Sequence, residues 1–262
     1  MELPKVVILC GGEGTRLREE TEFKPKPMVT IGGMPILWHI MKTYSHCGFN
    51  EFVLCLGYKS EIIKQFFLAH ELVHNDFTIN LRKRNADIVH RRGDEEDWTI
   101  TFAETGLKAM TGARVKRIEK YIDGDNFMLT YGDGLSDINI RKLLEFHKMQ
   151  NTVGTMLGVH PHSKWGLVKC GENNRVEKFI EKPVLYDYVN GGFYCFKKEF
   201  FDHLSDDDEC VMESEPFEGL VAKRQFSVLK HEGFWHGMDT YKDSLDLNKM
   251  CDGKSPPWKV WQ

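Results

Sequence analysis

The chain has 262 residues, 41% hydrophobic and 28% charged, with 35 Lys and Arg against 39 Asp and Glu. That length can bury a sizeable core, and the net charge of −4 argues against a general nucleic-acid binder. No run approaches the ~20 apolar residues of a membrane span, and Pro4 and Lys5 precede too short an apolar run for a secretory leader, so no membrane partner is expected. The seven cysteines show no Cys-x-x-Cys spacing. They are expected to be reduced, with Cys10, Cys55 and Cys195 buried in strands, as suits a cytoplasmic location.

Residues 6–10, Val-Val-Ile-Leu-Cys, are apolar without alternation, which predicts a strand buried on both faces. The strand runs into Gly11-Gly12-Glu13-Gly14-Thr15-Arg16-Leu17. Three glycines in four positions let the backbone approach a ligand and turn N–H groups toward it. Arg16 adds one cation, and Lys26 in Lys24-Pro25-Lys26-Pro27-Met28 adds a second, stiffened by proline on both sides. Amides plus two cations suit a polyphosphate whose charge builds up during reaction. A tight strand-to-helix turn that uses glycine only for its φ angles is the plainer alternative. Three better-known phosphate loops are excluded. Gly14-Thr15-Arg16 lacks the Walker lysine, Leu17 replaces the third glycine of the dinucleotide fingerprint, and the kinase motifs are missing.

Pro35 opens a helical pattern through residue 44. Residues 52–56 read as a strand, and Ser60 can cap a helix through residue 69. His70-Glu71-Leu72-Val73-His74 matches the H-E-x-x-H zinc motif, but no third ligand follows at a characteristic spacing. The stretch before it is an ordinary amphipathic core helix. Arg82-Lys83-Arg84 and Arg91-Arg92 are offset by Asp94-Glu95-Glu96-Asp97 and read as solvated loops. Residues 98–102 alternate as a strand, 111–121 are helix-like, 126–131 form an apolar strand and 138–149 an amphipathic helix. This alternation predicts an α/β, Rossmann-like fold: a mixed, mostly parallel sheet with helices on both faces. After residue 151 the pattern changes. Stretches 153–159, 165–169, 176–180 and 192–196 are strand-like with few helices between, which predicts a small β-rich portion built of antiparallel additions. One domain over 1–262 is expected, with 1–150 and 151–262 as its two parts.

Asp133 lies just past the strand at 126–131, between Gly132 and Gly134. Ligands collect at the carboxyl ends of strands in open α/β sheets, so this carboxylate is placed to hold Mg²⁺. A turn aspartate is the alternative. Asp239, after Phe234-Trp235, is the candidate second ligand or an N-cap for a helix over 241–250.

The loop and the Lys-Pro-Lys-Pro-Met segment resemble the signature of the sugar nucleotidyltransferase family, Gly-Gly-x-Gly-Thr-Arg-Leu and then Lys-Pro-Lys-Pro-Met. Several later segments resemble its cytidylyltransferase branch. They begin with Ile31-Gly32-Gly33-Met34-Pro35-Ile36-Leu37-Trp38-His39-Ile40-Met41, Met110-Thr111-Gly112-Ala113-Arg114 and Thr130-Tyr131-Gly132-Asp133-Gly134. Asn190-Gly191-Gly192-Phe193, Gly233-Phe234-Trp235-His236-Gly237-Met238-Asp239-Thr240 and Pro257-Trp258-Lys259-Val260-Trp261 follow, so the resemblance covers nearly the whole chain. It implies Arg16 and Lys26 as catalytic residues and Mg²⁺ on Asp133 and Asp239. The nucleotide would lie on Leu9, Gly11, Gly12, Gly14, Thr15, Arg114 and Gly132. Glu181, Lys182 and Asn190 would bind the sugar phosphate. The implied reaction joins CTP to α-D-glucose 1-phosphate, giving CDP-glucose and pyrophosphate, in a homo-oligomer. The same chemistry with UTP, dTTP or another sugar 1-phosphate stays open, as does a noncatalytic nucleotide-sugar sensor. One position departs from the pattern: Ala109 stands where a serine touching the nucleotide is expected, a loss of about 1 kcal/mol of binding.

Overall fold

The structure is a computed structural model that describes residues 3–78, 82, 88–90, 96–163, 165–252 and 255–261. Its centre is strand β1 (Val6–Leu9), with Val6, Val7 and Ile8 fully buried. Val6 and Ile8 point into one core and Val7 into another on the opposite face, which is why the run does not alternate. β1 lies parallel between β2 (Glu51–Leu56) and β4 (Asn126–Tyr131), with Val6 opposite Phe52 on one side and Met128 on the other. β3 (Thr99–Glu104) pairs parallel with β2 at one edge. On the other side come β6 (Val189–Lys197), β5 (Gly154–Val159) and β7 (Phe226–His231), giving the order β7-β5-β6-β4-β1-β2-β3. β6 is antiparallel to both of its neighbours, and β7 is parallel to β5. The sheet is therefore mixed and mostly parallel.

Helices cover both faces, as a buried parallel sheet requires. α1 (Ile36–His46), α2 (Ser60–His74), α4 (Ile140–Gln150) and α6 (Tyr241–Met250) pack on the Val6 and Ile8 side. α3 (Thr111–Arg117) and α5 (Glu215–Ala222) pack on the Val7 side, with Phe200 and Phe201. Trp258 is fully buried against α1, and its indole Nε1 donates to His39 Nδ1 at 3.4 Å. His39 Nε2 lies 2.8 Å from the Ile31 carbonyl, so the tail is tied to the small hairpin that follows Lys26.

One sequence expectation is met in detail and two are corrected. The antiparallel additions expected after residue 151 are present: 153–159 and 192–196 extend the main sheet as β5 and β6, with β6 antiparallel to both β5 and β4. The stretches at 165–169 and 176–180 pair apart from it, as an exposed two-stranded hairpin of Leu167–Cys170 and Val176–Ile180. Ser60 does not cap α2. Lys59 holds the N-cap position with φ 49°, and the Ser60 hydroxyl donates to Glu104 Oε1 at 2.9 Å. The helix expected over 111–121 stops at Arg117 and resumes as a 3-10 turn at Glu119–Tyr121. The H-E-x-x-H residues form the last turn of α2, where His74 Nδ1 meets the His70 carbonyl at 2.8 Å. Among the described residues, no group of three His, Cys, Asp or Glu side chains could hold a metal ion; the Glu71 side chain lies outside them. Lys83, Arg84, Arg91, Arg92, Asp94 and Glu95 also lie outside them. All seven cysteines are free thiols, with Cys10, Cys55 and Cys195 buried. No described helix is long and apolar enough to cross a membrane.

His147 on α4 is buried, with Thr155 Oγ1 2.9 Å from Nδ1 and Asn126 Oδ1 3.2 Å from Nε2. Burial pushes its pKa down from 6.5 to about 4. The unfolded chain takes up this proton first, so stability is complete above 6.5 and falls as pH drops through about 4. Urea midpoints measured across this window should decline in the wild type, and His147→Gln should flatten the decline.

Candidate active site

The site is built where β1 ends. Cys10 N–H donates to the Cys55 carbonyl at 3.0 Å, which keeps the chain beside β2 for one more residue. The Gly11 carbonyl then accepts from Tyr58 N–H at 3.1 Å and Arg114 Nη2 at 3.0 Å, so the loop is pinned at its first glycine. A methyl on Gly11 would sit 2.1 Å from Arg114 Nη1, and that crowding alone requires glycine. Gly14 needs glycine for its backbone, at φ 63°. Gly12 needs it for neither reason. A methyl there meets no protein atom within 4 Å, and its φ lies outside the left-handed region. Gly12 is exposed at the rim of a cavity. Space left open by the protein at such a position suits the close approach of a ligand.

Lys26 begins the 3-10 turn Lys26–Met28, with Pro25 extended before it. Its side chain is only 11% exposed and runs to two carboxylates, Nζ lying 2.5 Å from Asp133 Oδ2 and 3.1 Å from Asp239 Oδ1. Arg16, 72% exposed, reaches the same Asp239 oxygen at 3.1 Å. The two aspartates are brought together by a short antiparallel pairing of Gly134–Ser136 with Trp235–Gly237. Met238 N–H donates to the Asp133 carbonyl at 2.8 Å and seats the second aspartate. Asp239 is not the N-cap of α6. Thr240 takes that role in a capping box with Asp243, leaving the Asp239 carboxylate directed at Lys26 and Arg16.

Two cavities adjoin here. One of about 340 Å³ is bounded by the glycine loop, Lys26, Ala109, Thr111, Arg114 and Gly132. The other, about 290 Å³, lies against Tyr131, Asn190, Gly192, Trp235 and Asp239. Arg16, Tyr131 and Asp133 line both. The cluster of two cations and two carboxylates thus sits at the junction of two pockets, the arrangement needed to bring two anionic substrates together.

The nucleotidyl transferase family model matches residues 5–243. The chain belongs to this family. Within it, the chain is 42% identical to a probable glucose-1-phosphate cytidylyltransferase of Bacillus subtilis (strain 168) over 257 residues, 98% of this chain and 100% of the relative. It is 40% identical over 260 residues to the glucose-1-phosphate cytidylyltransferase of Salmonella typhi, again 98% of this chain and 100% of the relative. Among solved structures, a putative glucose-1-phosphate thymidylyltransferase of Bacillus anthracis in complex with sucrose superposes with a TM-score of 0.69 at 15% identity, covering 97% of each chain. That likeness supports the fold.

With the nucleotidyl transferase assignment in place, each expected site residue can be located. Leu9, Gly11, Gly12, Gly14, Arg16, Lys26, Arg114 and Gly132 gather around the larger cavity, and Asn190 lines the smaller one. Thr15 is exposed at the start of the 3-10 turn after Gly14. Glu181 and Lys182 line neither cavity. They follow the exposed hairpin, with 3.9 Å between Lys182 Nζ and Glu181 Oε1. Tyr131, Thr111 and Trp235 were not expected as site residues, although Trp235 stands beside Gly237 in a segment that sequence alone marks out.

Arg114 differs most from a free nucleotide-binding cation. Its Nη1 donates to the Leu56 carbonyl (3.1 Å), Thr105 Oγ1 (2.9 Å) and the Gly106 carbonyl (2.7 Å). Its Nη2 donates to the carbonyls of Gly11 and Leu107. Burial pushes its pKa down. Arg114 therefore acts on the larger cavity as a brace, locking the glycine loop to the ends of β2 and β3. Arg114→Ala removes a guanidinium that bonds four main-chain carbonyls and the Thr105 hydroxyl, and should lower unfolding free energy by on the order of 3 kcal/mol, read from urea titration.

Proposed function

We propose that this chain transfers a cytidylyl group from CTP to α-D-glucose 1-phosphate, giving CDP-glucose and pyrophosphate. The paired cations and carboxylates between two adjoining cavities carry this conclusion, and the names of the close relatives supply the substrate pair. The glycine-loop cavity would take the nucleotide and the Asn190 cavity the sugar phosphate. Glu181 and Lys182 would join the sugar phosphate from the hairpin, and 1–150 and 151–262 would work as two parts of one unit.

The attacking group is a phosphate oxygen, already ionised at neutral pH, so neither a general base nor a protein nucleophile is needed. The obstacle is the repulsion between an anionic phosphate and an anionic triphosphate. Loop amides near Gly12 and the Arg16 guanidinium would hold the departing pyrophosphate, and Lys26 would reach the α-phosphate. Catalysis is positioning plus charge stabilisation, with little covalent work for the protein.

The residues present fit Mg²⁺. Asp133 and Asp239 already converge on one cation, the Lys26 ammonium, and two carboxylates with phosphates and water make a common Mg²⁺ environment. When bound there, the ion would offset the charge between the two substrates.

Pyrophosphate release measured with each of the four NTPs against a panel of sugar 1-phosphates tests the proposal. CTP with glucose 1-phosphate should give the highest kcat/KM. Faster turnover with UTP or dTTP would reassign the base, and binding of both substrates without pyrophosphate release would make the chain a sensor.

A further inference from the structure

The two cavities are joined by a hydrogen-bonded relay that lies behind their walls. Glu213, in the loop before α5, lines neither cavity. Its Oε2 accepts from Thr111 Oγ1 at 2.5 Å, at the nucleotide cavity. Its Oε1 accepts from the Tyr131 hydroxyl. The Tyr131 oxygen accepts from the Tyr194 hydroxyl at 2.9 Å, and the Tyr194 oxygen accepts from Asn190 Nδ2 at 2.6 Å. Asn190 Oδ1 accepts from Gly192 N–H at 2.9 Å.

Both ends fix the direction of this chain. The Gly192 N–H can only donate, so the Asn190 atom facing it must be the oxygen, and Nδ2 must face Tyr194. The Glu213 carboxylate can only accept, so Tyr131 must donate to it and receive from Tyr194. The two demands agree, and each hydroxyl has one orientation that satisfies both. The Asn190 amide, which lines the smaller cavity, is thereby held in one rotamer and one flip.

We propose that Glu213 is a positioning residue for the sugar phosphate, orienting Asn190 through Tyr131 and Tyr194 and tying that orientation to Thr111 at the nucleotide cavity. This rests on the substrate assignment above. Without the carboxylate, Tyr131 loses its acceptor and the donor order along the relay is held by the Gly192 N–H alone. Asn190 can then flip, at the expense of its bond to Gly192.

The test compares steady-state constants of Tyr194→Phe, Glu213→Ala and Glu213→Gln with the wild type. Tyr194→Phe cuts only the sugar arm. It should raise KM for glucose 1-phosphate about tenfold, the worth of one lost hydrogen bond, and leave KM for CTP within about twofold. Glu213→Ala should raise both KM values. Glu213→Gln keeps an oxygen for Tyr131 and should return the sugar KM to within about threefold of wild type. A sugar KM within twofold of wild type in both Tyr194→Phe and Glu213→Ala would overturn the relay, as would Glu213→Gln being as impaired as Glu213→Ala. Wild-type turnover is measured first. If pyrophosphate is absent there, the proposed reaction fails on its own, and calorimetric titration of the variants with CTP and glucose 1-phosphate reads the same affinity pattern without turnover.

Discussion

Lys26→Ala should lower kcat/KM for pyrophosphate release by a factor on the order of 10²–10³, the usual effect of losing one preorganised charge contact in a site of this kind. The side chain is well placed to matter. It is buried, held by proline on both sides, and ends at the junction of the two cavities. A solvated surface lysine would have none of these features. The fold should survive, because Asp133 and Asp239 are each about one-third exposed and water can reach them once the ammonium is gone. Thermal denaturation beside the kinetics separates the two effects. Unchanged turnover in a folded variant would remove Lys26 from its assigned role.

Asp133→Asn should have a larger effect, on the order of 10³ or more in kcat/KM, because it removes both a negative charge and a hard oxygen from the proposed Mg²⁺ site. Asparagine keeps the shape, so Met238 should still bond to the backbone carbonyl of residue 133 and the short pairing with Trp235–Gly237 should hold. The Mg²⁺ concentration giving half-maximal rate should rise steeply. A variant that keeps both turnover and Mg²⁺ dependence would mean that another carboxylate carries the ion.

Much of the glycine-loop side of the site was readable from local sequence. A both-faces-buried strand, a glycine loop and a proline-flanked lysine are consecutive, and each has a local physical cause. The non-alternating run at 6–10 gave away the central strand because both cores are apolar. The convergence of Asp133 and Asp239 was harder to see from residues alone. It depends on a three-residue pairing between segments far apart in the chain, and neither segment announces a partner. Arg114 illustrates a different limit. Its partners are mostly main-chain carbonyls at the ends of β2 and β3, which a string of side chains does not display. Glu213 sits in an irregular loop and meets Tyr131 only through the tertiary fold. In the C-terminal half, α5 was missed because it is short and carries Pro216 at its start and Gly219 within it. β7 was missed because its residues are only partly buried and give a weak pattern.

A crystal structure with CTP bound tests the central claim most directly. The mechanism predicts a triphosphate lying against the backbone of residues 12–16, with Arg16 on the β- and γ-phosphates and Lys26 Nζ drawn from the carboxylates toward the α-phosphate. A triphosphate seated away from that loop, or one that touches neither Lys26 nor Arg16, would contradict it.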